Sequence, residues 1–130
     1  MTRQIILPES DRAAYEGFHF APAVKHGKLI LCSGQIGIGA DGKVPASPED
    51  EFRNAWQAVG RILQEAGLTF EDVLEFTTFH VGLQDHLPTF MAVKDEFLSE
   101  PWPAWTAIGI SELAVPGARV EIRVTAGERD

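Results

Sequence analysis

The sequence predicts one α+β domain, residues 1–130, in which two helices cover one face of a single sheet. Two observations support this prediction. Runs of strand-forming residues alternate with two helical stripes in the order β-β-α-β-α-β-β, and no linker, repeat or low-complexity tract divides the chain. In addition, 130 residues with 45% apolar and 23% charged side chains are enough for one hydrophobic core.

The predicted strands are short runs rich in β-branched and aromatic residues. Lys28–Ser33 is the first, Gly34–Ile38 follows it directly, and Asp41-Gly42 is typical of a tight turn. The later strands are Val73–Val81, Trp105–Ile110 and Arg119–Thr125. A turn at Pro116-Gly117 separates the last two.

Two helices are indicated by capping residues and by apolar spacings of three and four. Ser47 can cap the first helix, Pro48 suits its first position, and Gly67 suits its end. Its apolar stripe comprises Phe52, Ala55, Trp56, Val59, Ile62, Leu63 and Ala66. The second helix is predicted to begin near Asp85, with Pro88 in its first turn and a stripe of Leu87, Phe90, Met91, Phe97 and Leu98.

The last strand predicts a polar surface on the sheet face opposite the helices. Alternation places Val120, Ile122 and Val124 on one face and Arg119, Glu121 and Arg123 on the other. Two interpretations stay open: a solvated ladder of charges, or a self-associating surface with charges around a cleft.

Composition excludes several classes of function. Eleven basic and nineteen acidic residues give a net charge of −8, so nucleic acid and anionic membranes are not expected as partners. No apolar run has the length of a membrane span or signal peptide, so we expect a soluble, cytoplasmic protein. A single cysteine, Cys32, cannot form an internal disulfide, and we expect it to be a small buried apolar residue.

The familiar catalytic motifs are absent from the sequence. No Walker, dinucleotide, zinc-protease, nucleophile-elbow or CxxC pattern occurs, and the four histidines have no spacing that predicts a metal site. His80 is expected to be a strand residue that faces solvent or an interface rather than a catalytic base.

One segment identifies a family. Pro103–Leu113, followed after six residues by Val120-Glu121-Ile122, closely resembles the C-terminal signature of the RidA family, also called YjgF or UK114. The similarity extends over nearly the whole chain through Ser33–Ile36, Ala66-Gly67-Leu68, Asp72-Val73 and Thr77-Thr78. The resemblance implies a chorismate-mutase-like (YjgF-like) fold with one mixed sheet, a homotrimer, and small-molecule clefts between subunits. It also implies hydrolysis of reactive imines and enamines without a cofactor.

The resemblance also suggests which residues line the cleft. Glu121 matches the glutamate that is thought to position water, and Trp105 stands where deaminases of the family carry an arginine for the substrate carboxylate. Arg119 and Arg123 are candidates to replace that arginine. The other implied substrate-binding residues are Phe20, Ser33, Met91, Thr106 and Ala107. A cleft lined by Phe20, Met91 and Trp105 would be more apolar than a typical imino-acid site.

Three functions are compatible with these residues. The first is an imine or enamine hydrolase whose substrate range Trp105 has shifted away from small imino acids. The second is a non-catalytic trimer that binds and protects a small apolar metabolite. An endoribonuclease, the third, is least favoured because a net charge of −8 repels RNA.

Overall fold

The computed structural model describes residues 2–130; Met1, which the predicted domain includes, lies outside the described residues. Seven strands form one sheet in the order β1-β2-β3-β7-β5-β6, and β4 also pairs with β7. Only β5 and β6 run parallel, so the sheet is mixed, as the resemblance implies. The strands are β1 Gln4–Ile6, β2 Ala23–His26, β3 Leu29–Cys32, β4 Gln35–Ile36, β5 Val73–His80, β6 Ala104–Gly109 and β7 Val120–Gly127.

Helix α2, Pro48–Glu65, forms where its capping signals predict it. The Ser47 side chain accepts a hydrogen bond from the Asp50 N–H at 3.3 Å, and three acidic residues occupy the first turn. At the other end, Gly67 takes a φ of +78°, and the Leu68 N–H donates to the Leu63 carbonyl at 2.8 Å. The predicted stripe is buried except for Ala66, which is partly buried.

Helix α3, Leu83–Lys94, differs from its prediction in its start and its buried face. Gly82 precedes it in the left-handed region at φ +77°, and this turn starts the helix two residues early and leaves Pro88 inside it. Met91, expected on the buried stripe, is 42% exposed, whereas His86 and Lys94 are buried. The buried face is therefore less apolar than the pattern predicted.

The first 27 residues contain structure that the sequence did not predict. Strand β1 extends the sheet beyond β2, and α1, Arg12–Phe18, adds a third helix to the two predicted. These elements are three and seven residues long, and α1 has no capping side chain and no buried residue, so they lack the signals on which the prediction relied.

Helices α2 and α3 pack on one face of the sheet, as predicted. The core between them centres on Trp56, whose ring lies 5.3 Å from that of Phe76 and 6.3 Å from that of Phe90. On the opposite face, Leu29, Leu31 and Ile108 remain 41–48% exposed. The sheet therefore has one buried face and one open face, on which these apolar side chains lie beside the predicted polar residues Glu121 and Arg123.

Candidate functional site

Glu121 projects from the open face of β7 and rests against the backbone of Gly34. It pairs in register with Phe79 of β5 and Ile36 of β4 and is half-buried. A Cβ added at Gly34 would lie 2.3 Å from Glu121 Oε2, so only glycine leaves room for this carboxylate. Within residues 2–130 no cation forms a salt bridge with it. Its oxygens can therefore accept hydrogen bonds from a ligand or water.

Ser33 directly precedes Gly34 and is hydrogen-bonded to the loop that carries Phe20. The Ser33 hydroxyl donates to the Ala21 carbonyl at 2.6 Å, and the Ser33 N–H donates to the Pro22 carbonyl at 2.8 Å, which fixes the loop that carries Phe20. Phe20 is 50% exposed and lines a groove of about 270 Å³ together with Gly34 and Gln35. Phe20 thus presents an apolar ring beside the backbone that supports Glu121.

Trp105 occupies the other face of the sheet. Its ring stacks on that of Phe76 at 5.6 Å with 8° between the planes, and its indole N–H donates to Thr78 Oγ1 at 2.9 Å. Ala107 shares this face by alternation, whereas Thr106 lies on the open face. The predicted binding residues therefore form two groups that the sheet separates. Met91, which is exposed on α3, belongs to the group of Trp105 and Ala107.

A buried polar chain continues from Trp105 through the core. Thr78 Oγ1 lies 2.7 Å from His80 Nε2, and His80 Nδ1 lies 3.2 Å from His86 Nε2. Since the indole can only donate, one consistent pattern has Thr78 donating to His80 and His80 donating to His86, with both imidazoles neutral. Burial, reinforced by His86, lowers the pKa of His80 to about 4, and burial also lowers the pKa of His86.

The expectation that His80 faces solvent or an interface is therefore wrong. It is fully buried, and its ring packs edge-on against Phe90 with centroids 4.8 Å apart. Strand alternation could have shown this, because His80 shares the parity of Phe76 and Thr78. Desolvation explains why the imidazole is neutral in this setting.

Lys94 was not identified from the sequence. Its ammonium lies 5.3 Å from the ring centre of Trp105 and 5.2 Å from that of Trp102, and it donates to Asp95 Oδ1 at 2.7 Å. The available signal was its position four residues after Phe90, on the helical stripe that faces the sheet. The Lys94 ammonium thus lies against the indole of Trp105.

Arg119 and Arg123 have different environments. The Arg119 guanidinium donates to Glu51 Oε1 at 2.7 Å and to the carbonyls of Pro45 and Ala46. These hydrogen bonds hold its side chain at the start of α2. The prediction that it flanks Glu121 on the open face is wrong. Arg123 does lie on that face, exposed, with its guanidinium carbon 5.9 Å from the Phe79 ring centre.

Among residues 2–130 no three His, Cys, Asp or Glu side chains are grouped as metal ligands. No helix in that part of the chain is long and apolar enough to cross a bilayer. Cys32 is buried as predicted, and burial raises the pKa of its thiol to about 11. A thiol with a raised pKa carries little thiolate at neutral pH, so this environment does not favour a nucleophilic role for Cys32.

Comparison with known proteins assigns the family. A family model described as endoribonuclease L-PSP matches residues 12–128, which include every residue of both groups described above. The chain belongs to this family. The match confirms the resemblance to RidA/YjgF proteins, and the name endoribonuclease L-PSP describes the family rather than an activity of this chain.

Individual members of the endoribonuclease L-PSP family support the same assignment. The RutC family protein YjgH of Escherichia coli (strain K12) is 33% identical over 125 residues, which are 95% of this chain and 94% of that protein. The 2-iminobutanoate/2-iminopropanoate deaminase of Dermatophagoides farinae is 30% identical over 105 residues, which are 79% of this chain and 80% of the deaminase.

Solved structures of family members confirm the fold. A structure of protein YjgH superposes with a TM-score of 0.89 at 30% identity and covers 100% of this chain and 99% of that chain. The structure of Escherichia coli TdcF with bound serine gives a TM-score of 0.77 at 25% identity and covers 85% of this chain and 88% of that one.

Proposed function

We propose that the protein is a cofactor-independent hydrolase of reactive imines and enamines. The observation that carries this proposal is the Glu121 carboxylate, which lies on the Gly34 backbone and forms no salt bridge within residues 2–130. The relatives named 2-iminobutanoate/2-iminopropanoate deaminases support the same reaction class. We further propose that it acts in the cytoplasm.

In the proposed reaction Glu121 acts as a general base. The carboxylate accepts a proton from water while the water oxygen bonds to the imine carbon and the C=N π electrons move to nitrogen. Glu121 then returns this proton to the nitrogen, which gives a neutral carbinolamine. As the C–N bond breaks and the C=O bond forms, the carboxylate relays the hydroxyl proton to the departing nitrogen, which leaves as ammonia. One imine and one water give one carbonyl compound and one ammonia, so the reaction needs no redox partner.

A homotrimer would unite the two groups of residues. Glu121, Phe20 and Ser33 lie near β4 and β7, whereas Trp105, Ala107 and Met91 lie at the outer edge formed by β6 and α3. We propose that β6 of one protomer docks beside the open face of the next, which would cover Leu29, Leu31 and Ile108 and leave a ligand cleft between protomers. Thr106 would line this cleft from the open face.

Trp105 is proposed to shift the substrate range away from small imino acids. Its indole N–H is already donated to Thr78, so it offers no free donor to a carboxylate. An arginine at this position could form two charge-assisted hydrogen bonds, and such contacts contribute about 1.5–3 kcal/mol each. A large apolar side chain on the imine would compensate by packing near Met91.

Ammonia release tests the hydrolase directly. A panel of imino acids generated in situ by amino-acid oxidases is incubated with wild type, Glu121→Gln and the control Glu75→Gln. Glu75 also lies in the sheet and is exposed, but its carboxylate accepts a hydrogen bond from Thr125. We expect wild type and Glu75→Gln to accelerate ammonia release from the larger imines, and Glu121→Gln to lose this acceleration.

Rates equal to buffer for every imine would refute the hydrolase. Saturable ligand binding without ammonia release would then favour the second function, a trimer that binds and protects a small metabolite. RNA cleavage that survives removal of contaminating nucleases would instead favour an endoribonuclease, against the net charge of −8.

A further inference from the structure

A line of four polar side chains crosses the interior between the sheet and the helices. Thr78 and His80 of β5 are fully buried, His86 in the first turn of α3 is almost so, and Trp105 of the edge strand β6 is partly exposed. Contacts of 2.9, 2.7 and 3.2 Å join them in the order Trp105, Thr78, His80, His86. The residue proposed to line the ligand cleft is therefore connected through the core to a helix that carries a histidine.

The position of the Trp105 ring depends on the oxygen of Thr78. The ring stacks on Phe76 with 8° between the planes, and its N–H donates to Thr78 Oγ1. Stacking restrains the tilt of the ring, but apolar contact is not directional and does not fix where the ring lies within its plane. A hydrogen bond is directional, so the Thr78 oxygen fixes the position of the indole nitrogen.

His80 determines which group of Thr78 faces the indole. Rotation of a threonine about χ1 to another staggered position can put the methyl group where the hydroxyl lies. His80 Nε2, 2.7 Å from Oγ1, opposes that rotation because a methyl group cannot form a hydrogen bond with it. The hydroxyl accepts from the indole and donates to the imidazole. His80 thus selects the rotamer in which oxygen faces Trp105.

His86 determines which nitrogen of His80 carries the proton. His80 can accept at Nε2 only as the Nδ1–H tautomer, and its Nδ1 lies 3.2 Å from His86 Nε2, which accepts when His86 is neutral. In the reverse pattern the hydroxyl of Thr78 would accept twice and would need a further acceptor for its own proton. Burial lowers the pKa of both imidazoles, so both are neutral at pH 7.

We infer that His80 and His86 are positioning residues for Trp105. Their neutral Nδ1–H tautomers hold the Thr78 hydroxyl toward the indole, which fixes the ring in the wall of the proposed cleft. The consequence for the cleft rests on the proposed function, whereas the hydrogen-bonding pattern does not. Neither histidine needs to contact a ligand, because both act through Thr78.

The tautomers test the inference without a ligand or turnover. Long-range ¹H–¹⁵N correlation NMR of the imidazoles at pH 7 distinguishes Nδ1–H, Nε2–H and charged rings. We expect the neutral Nδ1–H form for both His80 and His86. An Nε2–H or charged His80 overturns the inference, because Thr78 could not then donate to it.

Variants of His86 test whether its effect reaches Trp105. His86→Leu removes the acceptor of His80, and we expect exchange of the Trp105 indole N–H with solvent to become about threefold to tenfold faster. His86→Gln, which can place an amide oxygen near the position of Nε2, should restore the wild-type rate. Val93→Ala is the matched control, because Val93 is also buried on α3 and its truncation removes packing but no member of the line.

An unchanged indole exchange rate in His86→Leu, or an equal acceleration in Val93→Ala, overturns the role of His86. If His86→Leu fails to fold, the tautomer of His80 in the wild type decides.

Turnover measures the consequence for the cleft. For an imine that the wild type hydrolyses, His86→Leu should raise KM about threefold to tenfold and leave kcat within about twofold, since Glu121 lies on the other face of the sheet. His86→Gln should restore KM. An unchanged KM in His86→Leu overturns the positioning role in the cleft even if ammonia is released. Absence of ammonia release from every imine refutes the hydrolase, and the tautomers and indole exchange then decide this inference by themselves.

Discussion

Glu51 and Glu121 are both carboxylates held against strand β7, on opposite faces of the sheet. The carboxylate of Glu51 is fully buried and accepts from the backbone N–H of Arg119 at 2.6 Å, from the N–H of Val120 at 3.3 Å and from the Arg119 guanidinium. Glu121 is only half-buried and forms no salt bridge within residues 2–130. Both residues are glutamates, so the residue type does not decide their roles. The carboxylate of Glu51 is fully paired and structural, whereas that of Glu121 is unpaired within the described chain and available for chemistry.

The largest effect is expected from removal of the paired carboxylate of Glu51. Glu51→Ala should lower the free energy of unfolding by about 3–5 kcal/mol, because it leaves the Arg119 guanidinium and two N–H groups without their acceptor. Glu121→Ala should change it by about 0.5 kcal/mol or less. Urea denaturation of both variants measures the contrast, and equal losses would show that Glu121 is a structural residue too.

The second largest effect is expected from acid, which should lower the free energy of unfolding through the histidines on the helix-facing side of the sheet. The pKa of His80 is about 4 against an ordinary 6.5, so between these values the unfolded chain binds a proton that the folded chain excludes. The free energy of unfolding therefore falls as the pH falls through this window, by about 3 kcal/mol at pH 4 for His80 alone. The charged groups near His86, namely Glu51, Asp85 and Arg119, modulate the effect.

Chemical denaturation between pH 4 and 7 measures this slope. His80→Gln should flatten it, whereas His26→Gln, a change at an exposed strand residue, should leave it unchanged. A His80→Gln profile identical to that of wild type would mean that carboxylates alone cause the loss in acid.

A smaller loss is expected at the hydroxyl that links Trp105 to the histidines. Thr78→Val keeps the shape of the side chain but removes the acceptor of the indole N–H and the partner of His80, at a cost of about 1–3 kcal/mol. Thr78→Ser should restore most of that stability. The urea midpoints of the two variants distinguish a lost hydrogen bond from lost packing, which would affect Thr78→Ser more.

The fold was predictable where its signals are local. Ser47, Pro48 and Gly67 define α2 within a few residues of sequence, and alternation alone placed Glu121 and Arg123 on the open face. Strand β1 was missed because it is stabilised by pairing with a distant segment, such as Ile5 with Val24, and helix α1 because it has neither a capping side chain nor a buried residue.

The site was only half predictable for a related reason. The face that Trp105 occupies depends on the register of β6 against β5, which pairs Trp105 with Phe76, and no single strand encodes that register. Lys94 lies on the same face of α3 as the buried Phe90, but a lysine in a sequence is ordinarily predicted to be exposed to solvent. Its burial depends on Trp102 and Trp105, which approach it only in the folded chain.

Only a small change in stability is expected at Gly34, where a substitution tests the role of Glu121. Gly34→Ala places a Cβ where Glu121 Oε2 now lies, at 2.3 Å, so the flexible glutamate side chain must swing away. The free energy of unfolding should change by about 1 kcal/mol or less, while ammonia release should fall as far as in Glu121→Gln. Gly17→Ala is the control, because a Cβ at that helical position meets nothing within 4 Å and should stabilise the protein by up to about 1 kcal/mol without affecting turnover. Full activity in a folded Gly34→Ala would show that the reaction does not require the carboxylate where it now lies, and the general base would have to be sought elsewhere.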